Sequence, residues 1–301
     1  MQTTKPSRPL AGILWMVVTG LLFVLVTAIV KSMDGRLPAA QAAFLRYLFG
    51  LVFLVPMLPS MMRVRLLAKD WWLFGLRGLT HSVGVILWFF AMSQITLAEV
   101  SAMNYLSPVY VTLGAAAFLG EKLAVRRLAA VGVALIGMLV ILRPGLRVLE
   151  AGHYAMIGTA ILFAVSYLVA KRMSERFGPA VIVGFLSVTV TIGLAPFALS
   201  VWVTPSWADL GLLAILACLA TGGHYTMTLA FAAAPVAVTQ PVTYLQLVWA
   251  VLLGAVFFDE ALDIYVILGG SMIIGAVSFI AWREAAAKRR QVTPGVHEPK
   301  V

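Results

Sequence analysis

The chain alternates long apolar runs with short polar breaks. Ten runs are read, at 9–30, 38–57, 71–92, 96–118, 126–143, 151–171, 179–203, 208–231, 235–257 and 264–282. Most reach the roughly 20 helical residues needed to cross a hydrocarbon core about 30 Å thick. They are continuously apolar. Strands of a membrane barrel would alternate in period two, so the runs predict helices. The longest break, near 58–70, has about a dozen residues, too few for a separate extramembrane domain. The first run follows a leader bearing Lys5 and Arg8, spans about 22 residues and has no small-residue cleavage site after it. It reads as a retained span and not a signal peptide.

The pattern is written twice. Residues 11–33 and 151–173, at an offset of 140, agree at eight of 23 positions, among them Gly12/Gly152, Phe23/Phe163 and Lys31/Lys171. Residues 105–123 and 244–262, at an offset of 139, agree at eight of 19, among them Tyr105/Tyr244, Phe118/Phe257 and Glu121/Glu260. Two windows near opposite ends of the unit share almost one offset, which chance matching of apolar residues does not enforce. A duplicated unit with five spans inverts its second copy, the architecture of secondary transporters. The segment 120–127 carries net +2, whereas its counterpart 259–263 carries net −3, as expected if the two face opposite sides.

Composition adds the class. The chain of 301 residues is 62% hydrophobic and 11% charged, with mean hydropathy +0.99. A soluble domain is about 25% charged. The net charge of +10 is explained by position. With the N-terminus placed in the cytoplasm, sixteen Lys and Arg fall inside, four (Lys31, Arg36, Arg143, Arg147) outside, and Arg46 and Arg77 within spans. This is the positive-inside bias, with both termini cytoplasmic, and it assigns no nucleic-acid partner. The expected partners are a small-molecule solute and the lipid bilayer. The oligomeric state is left open, a monomer included. Cys218 is the only cysteine, so no disulfide framework exists. No phosphate-binding loop and no nucleophile motif is present, so no cofactor and no catalytic residue is expected.

Polar side chains recur at one-face spacing on four spans: Arg77, His81, Gly84 and Trp88; Ser101, Asn104 with Tyr105, Pro108 and Thr112; Thr221, His224 with Tyr225, and Thr228; Thr239, Thr243 with Tyr244, and Gln246. These are the third and fourth spans of each copy, and a chamber lined by them is the expected solute site. Aromatic Trp88, Tyr105, Tyr244 and Trp249 would combine there with neutral Asn104, His81, His224, Thr243 and Gln246. Single Ser and Thr residues serve equally as interhelical hydrogen bonds. Arg46, near mid-span, is read either as a structural tie or as a contact for a solute carboxylate. Arg77 lies six residues into its span and is expected to snorkel to the cytoplasmic interface. The two deep histidines lack the further ligands a metal requires. Pro108 and Pro241 are expected to kink related helices. Ala130 with Ala134, and Ser271 with Gly275, are expected to permit close helix approach. All twelve acids sit in loops, tails or span ends, Glu99 three residues into its span at a helix N-terminus. No carboxylate lies at depth to couple a proton or sodium ion, nor to serve a membrane enzyme.

The stretch Ala98–Glu121, the counterpart Tyr244–Glu260 and Phe44-Leu45-Arg46 resemble the EamA family of the drug/metabolite transporter superfamily over about residues 11–282. The second copy departs from that pattern at Phe258-Asp259-Glu260, where the first ends in Leu-Gly-Glu. The resemblance implies an all-α integral membrane basket. It consists of ten transmembrane helices in two inverted five-helix repeats, 9–143 and 151–282, with a cytoplasmic tail at 283–301 expected to be disordered. It also implies the bacterial inner membrane and alternating access through a central cavity. Within the family the chain is most similar to YddG-type amino-acid exporters, so export of amino acids or related metabolites is the expected function. Import or exchange of S-adenosylmethionine, riboflavin, a nucleoside or a drug on the same scaffold is the alternative. An integral-membrane enzyme or an ion channel is the alternative of another class.

Overall fold

The computed structural model describes residues 8–33, 35–119, 125–234, 239 and 242–292. Among them the chain forms helices and no strand: α1 (Pro9–Ser32), α2 (Ala39–Gly50), a 3-10 stretch (Leu51–Met57), α3 (Leu58–Met62), α4 (Ala68–Gln94), α5 (Leu97–Asn104), α6 (Leu106–Leu119), α7 (Val125–Leu142), α8 (Ala151–Met173), α9 (Pro179–Ser200), α10 (Trp207–Ala233), α11 (Leu245–Phe257) and α12 (Ile264–Val292). Seven segments are long and apolar enough to cross a membrane, and Leu128–Leu142 and Leu245–Phe257 are shorter apolar helices. Trp71, Trp72, Trp202, Trp207 and Trp282 stay exposed at segment ends, as interfacial anchors do.

Local chemistry sets the boundaries. Pro9 and Pro179 open α1 and α9 where a missing N–H costs nothing. Thr96 with Glu99 and Ser206 with Asp209 form capping boxes that start α5 and α10. Pro56 cannot donate within its turn, and the chain tightens there to a 3-10 helix before α3.

The fourth expected span is broken. Pro108 cannot donate to the carbonyl of Asn104, and α5 and α6 are separate helices that meet at Tyr105, with φ −69° and ψ −3°. At the related position of the second copy Tyr244 precedes α11 with φ −71° and ψ −16°. Pro241 lies outside the described residues. The final helix also departs from expectation. It runs to Val292, past the anticipated end at 282, because Glu284-Ala-Ala-Ala-Lys is a run of strong helix formers.

The packing keeps the two-fold relation. α1 packs on α10, and its counterpart α8 packs on α4; α2 packs on α9, and α7 on α12. Exchanging the copies maps this set of pairs onto itself. Small residues make the close approaches. A Cβ on Gly12 would lie 2.5 Å from the Cβ of Ala234, and one on Gly152 would lie 2.8 Å from Gln94 and Ile95. The α7–α12 crossing differs from the small-residue expectation. Ala130 and Ala134 are buried, but Ser271 is exposed and Gly275 has open space around it. The contact runs instead through Gly137 and Gly269, where a Cβ on either would fall 2.4–2.7 Å from the other's carbonyl oxygen. Helices in lipid gain from backbone proximity and not from apolar burial, so the glycines that face each other decide the contact.

Candidate functional site

The centre of the bundle holds a polar cluster drawn from both copies. His81 on α4 sits with Nε2 3.2 Å from the Tyr47 hydroxyl of α2 and Nδ1 3.3 Å from the Ser166 hydroxyl of α8. Its ring stacks on Phe163 at 4.8 Å. Phe163 in turn lies 6.4 Å from Trp88 and 6.1 Å from Tyr167. Arg46 places its guanidinium 4.2 Å from the Tyr47 ring centroid, and its charge reaches both His81 and His224.

The two histidines sit on corresponding helices about one turn out of register: at the repeat offsets of 139 and 140 His81 falls on Ala220 and Thr221, and His224 on Val85 and Gly84. His224 on α10 meets Phe23 of α1 edge-on at 5.1 Å and 74°, whereas His81 stacks on Phe163 at 24°. Phe23 and Phe163 are matched residues of the repeat. A Cβ on Gly84 would press on Phe163 at 2.9 Å, and one on Gly223 on Phe23 at 3.2 Å, so a glycine on each partner helix seats each phenylalanine. Both histidines therefore project from corresponding helices against corresponding rings of the opposite copy.

This cluster borders the packed core, with Phe163 and Ser166 buried, and is exposed at two of its side chains. Tyr167 is 44% exposed and His224 is exposed, each beside a phenylalanine ring. His81, Trp88 and Arg46 are half-buried. Buried polar groups are normally paired. The Trp88 Nε1 is buried without a partner.

A second group forms where the broken helices meet. The rings of Tyr105 and Tyr244 lie 5.3 Å apart at 77°, and the Tyr105 hydroxyl donates to the Thr243 carbonyl at 2.9 Å. Asn104 and Gln246 are half-buried, and Pro108 is exposed. Trp249 packs against Val24, Leu97 and Ala250, a separate apolar cluster, and is not brought to His81. The sequence reading thus assembles in two parts: Arg46, His81, Trp88 and His224 in one, Tyr105, Thr243 and Tyr244 in the other. It missed Tyr47, Phe163, Ser166 and Tyr167. The identity of Phe163 with Phe23 was the signal that would have found one of them.

Arg77 does not snorkel. It is buried, and its guanidinium donates to the Ile182 carbonyl on α9 at 2.9 Å. The helix carbonyl meets part of the guanidinium's need within the bundle, while its Nε is buried without a partner.

One end of the bundle is held by ion pairs. Lys31 lies 2.7 Å from Glu260, and the Glu260 carboxylate accepts the Leu97 N–H at 2.9 Å. Lys31 also donates to the Ile95 carbonyl at 2.8 Å. Arg36 meets Asp209 at 3.5 Å, and Arg143 pairs with Asp263. Glu99 takes Arg147 at 2.7 Å and His153 at 3.2 Å. Lys31–Glu260, Arg36–Asp209, Arg143–Asp263 and His153–Glu99 each join the two copies. The two described non-glycine residues with left-handed backbone, Arg143 (φ 47°) and Asp259 (φ 51°), are also here, so local strain is held by this network. At the other end Arg176 reaches Asp70 at 2.6 Å. Glu121, the repeat counterpart of Glu260, lies outside the described residues. Among the described residues no group of three or more His, Cys, Asp or Glu is placed to hold a metal ion.

Known proteins resemble this chain over nearly its whole length. The chain is similar to a riboflavin transporter of Rhizobium johnstonii, 30% identical over 289 residues, covering 95% of this chain and 96% of that protein. It is similar to the pseudopaline exporter CntI of Pseudomonas aeruginosa, 27% identical, covering 88% and 94%. It is also similar to an S-adenosylmethionine uptake transporter of Rickettsia prowazekii, 24% identical, covering 91% and 94%. Residues 10–143 and again 150–282 match the EamA-like transporter family. The chain is a multi-pass membrane protein and belongs to that family.

Proposed function

We propose that this chain is a secondary carrier for a planar, acceptor-rich aromatic metabolite, riboflavin foremost, working by alternating access in the bacterial inner membrane with both termini cytoplasmic. The two halves, 9–143 and 151–282, would rock about the paired tyrosines. The observation that carries the reading is the character of the chamber. His81, Phe163, Trp88, Tyr167 and His224 offer ring surface and neutral hydrogen bonds, and Arg46 is the cation beside them. Every described carboxylate lies toward an end of the bundle. A cation without a nearby anion disfavours solutes with a positive group. That argues against S-adenosylmethionine, a sulfonium, and leaves the ammonium of an amino acid without a counter-charge. A flavin presents a planar ring with carbonyl acceptors and no positive charge.

Amino-acid export is the second reading, favoured by the ability of Arg46 to take a carboxylate. Counterflow in proteoliposomes separates the two. Vesicles loaded with unlabelled riboflavin are expected to accumulate labelled riboflavin transiently. Vesicles loaded with tryptophan or S-adenosylmethionine are expected to give no such overshoot with their own labels. Overshoot with tryptophan and none with riboflavin would establish the amino-acid reading.

A further inference from the structure

Arg46 breaks the symmetry of the chamber. Phe163 and Phe23 are related by exchange of the copies, as are the glycines that seat them, Gly84 and Gly223, and each ring has a histidine of the opposite copy beside it. Arg46 has no such counterpart. At the repeat offsets of 139 and 140 its place is taken by Phe185 and Leu186. A ring bound between two similar His–Phe couples could enter in either of two orientations. One cation on one side removes that ambiguity.

The guanidinium is unused by the protein. Arg77 donates to the Ile182 carbonyl, whereas Arg46 makes no hydrogen bond or ion pair among the described residues. Its described contact is the face of Tyr47, whose hydroxyl is engaged with His81. A guanidinium has five N–H donors. An intramembrane charge left without a protein partner marks a solute pathway, because its cost must be met by water or by what it binds. The Tyr47 ring engages the guanidinium through its face, a cation–π contact that uses none of the N–H donors.

We propose that Arg46 is the specificity-determining residue of the chamber, donating to an anionic or carbonyl edge of an aromatic solute and fixing its orientation between His81 and His224. The proposal rests on the chamber being the solute site and not on the solute being riboflavin. Three probes with one ring system and different charge test it: acridine-9-carboxylate, acridine and proflavine, followed by their own fluorescence on the purified full-length protein at pH 7.5. The parent is expected to bind the carboxylate roughly tenfold or more tightly than the cation proflavine, the size of a charge-assisted hydrogen bond. Arg46→Gln should weaken the carboxylate roughly tenfold while neutral acridine changes less than about threefold. Arg46→Lys should fall between, since it keeps the charge and loses the fork. An unchanged carboxylate affinity in Arg46→Gln overturns the proposal. So does an equal fall for carboxylate and acridine in both variants, which would make Arg46 a structural tie. Should riboflavin counterflow fail while the carboxylate preference and its loss hold, the choice of solute is wrong and the role of Arg46 stands.

Discussion

Gly269→Ala is expected to destabilise the protein by about 3 kcal/mol, the upper range for overpacking a closed contact, whereas Gly275→Ala on the same helix changes little. The two glycines are six residues apart on α12 and differ in their surroundings. A methyl group on Gly269 would meet the Gly137 carbonyl at 2.4 Å and Ile141 at 2.6 Å. Backbone cannot swing aside as a flexible side chain does, so α7 and α12 must separate along their length. Gly275 has nothing within 4 Å, and alanine there gains helix propensity of up to about 1 kcal/mol. Thermal unfolding in detergent, monitored by tryptophan fluorescence, reads the contrast. Similar melting temperatures for the two variants would show that the α7–α12 contact is not closed by Gly137 and Gly269.

The second large effect is expected at Glu260. Glu260→Gln should cost about 3 kcal/mol, as removal of one partner from a buried pair does, and should lower transport at least as strongly as it lowers stability. The carboxylate is 9% exposed and serves two groups at once, the Lys31 ammonium and the Leu97 N–H at the start of α5. Glutamine still reaches the N–H but leaves Lys31, 19% exposed, with the Ile95 carbonyl and the Phe258 ring. Replacing both partners, Lys31→Met with Glu260→Gln, should recover part of the loss, since no uncompensated charge remains. A double-mutant cycle on melting temperature measures this coupling directly. Strictly additive losses would mean that Lys31 and Glu260 act independently.

The sequence carried the frame of the fold because the copies kept identity where they touch each other. Gly12 and Gly152 are close-approach points, Phe23 and Phe163 are histidine partners, and Lys31 joins the ion-pair network. Those positions cannot drift without losing a contact, so the repeat survived in them. The pairings themselves were not legible. Nothing in the spacing says that Lys31 meets Glu260, because the pair crosses from the end of one copy's first helix to a loop near the end of the other copy. Arg77 misled for a related reason: its partner is a backbone carbonyl, and any residue supplies one. Gly137 and Gly269 are 132 positions apart and not at the repeat offset, so internal matching passes over them. The break at Tyr105 could be foreseen from Pro108 as a kink, but not as a meeting point with Tyr244. Tyr47 and Tyr167 stood in apolar runs, where one aromatic looks like packing until its neighbours in space are known.

The account depends on a solute residing in the chamber between the copies, and cysteine protection tests this most directly. In a Cys218→Ala background, Tyr47→Cys and Tyr167→Cys place one thiol from each copy on the chamber wall, and Trp207→Cys, at a site 89% exposed, is the control. Saturating riboflavin is expected to slow maleimide labelling at 47 and at 167 together and to leave 207 unchanged. Labelling at 47 and 167 that is indifferent to riboflavin, in protein that still performs riboflavin counterflow, would put the solute elsewhere and contradict the account.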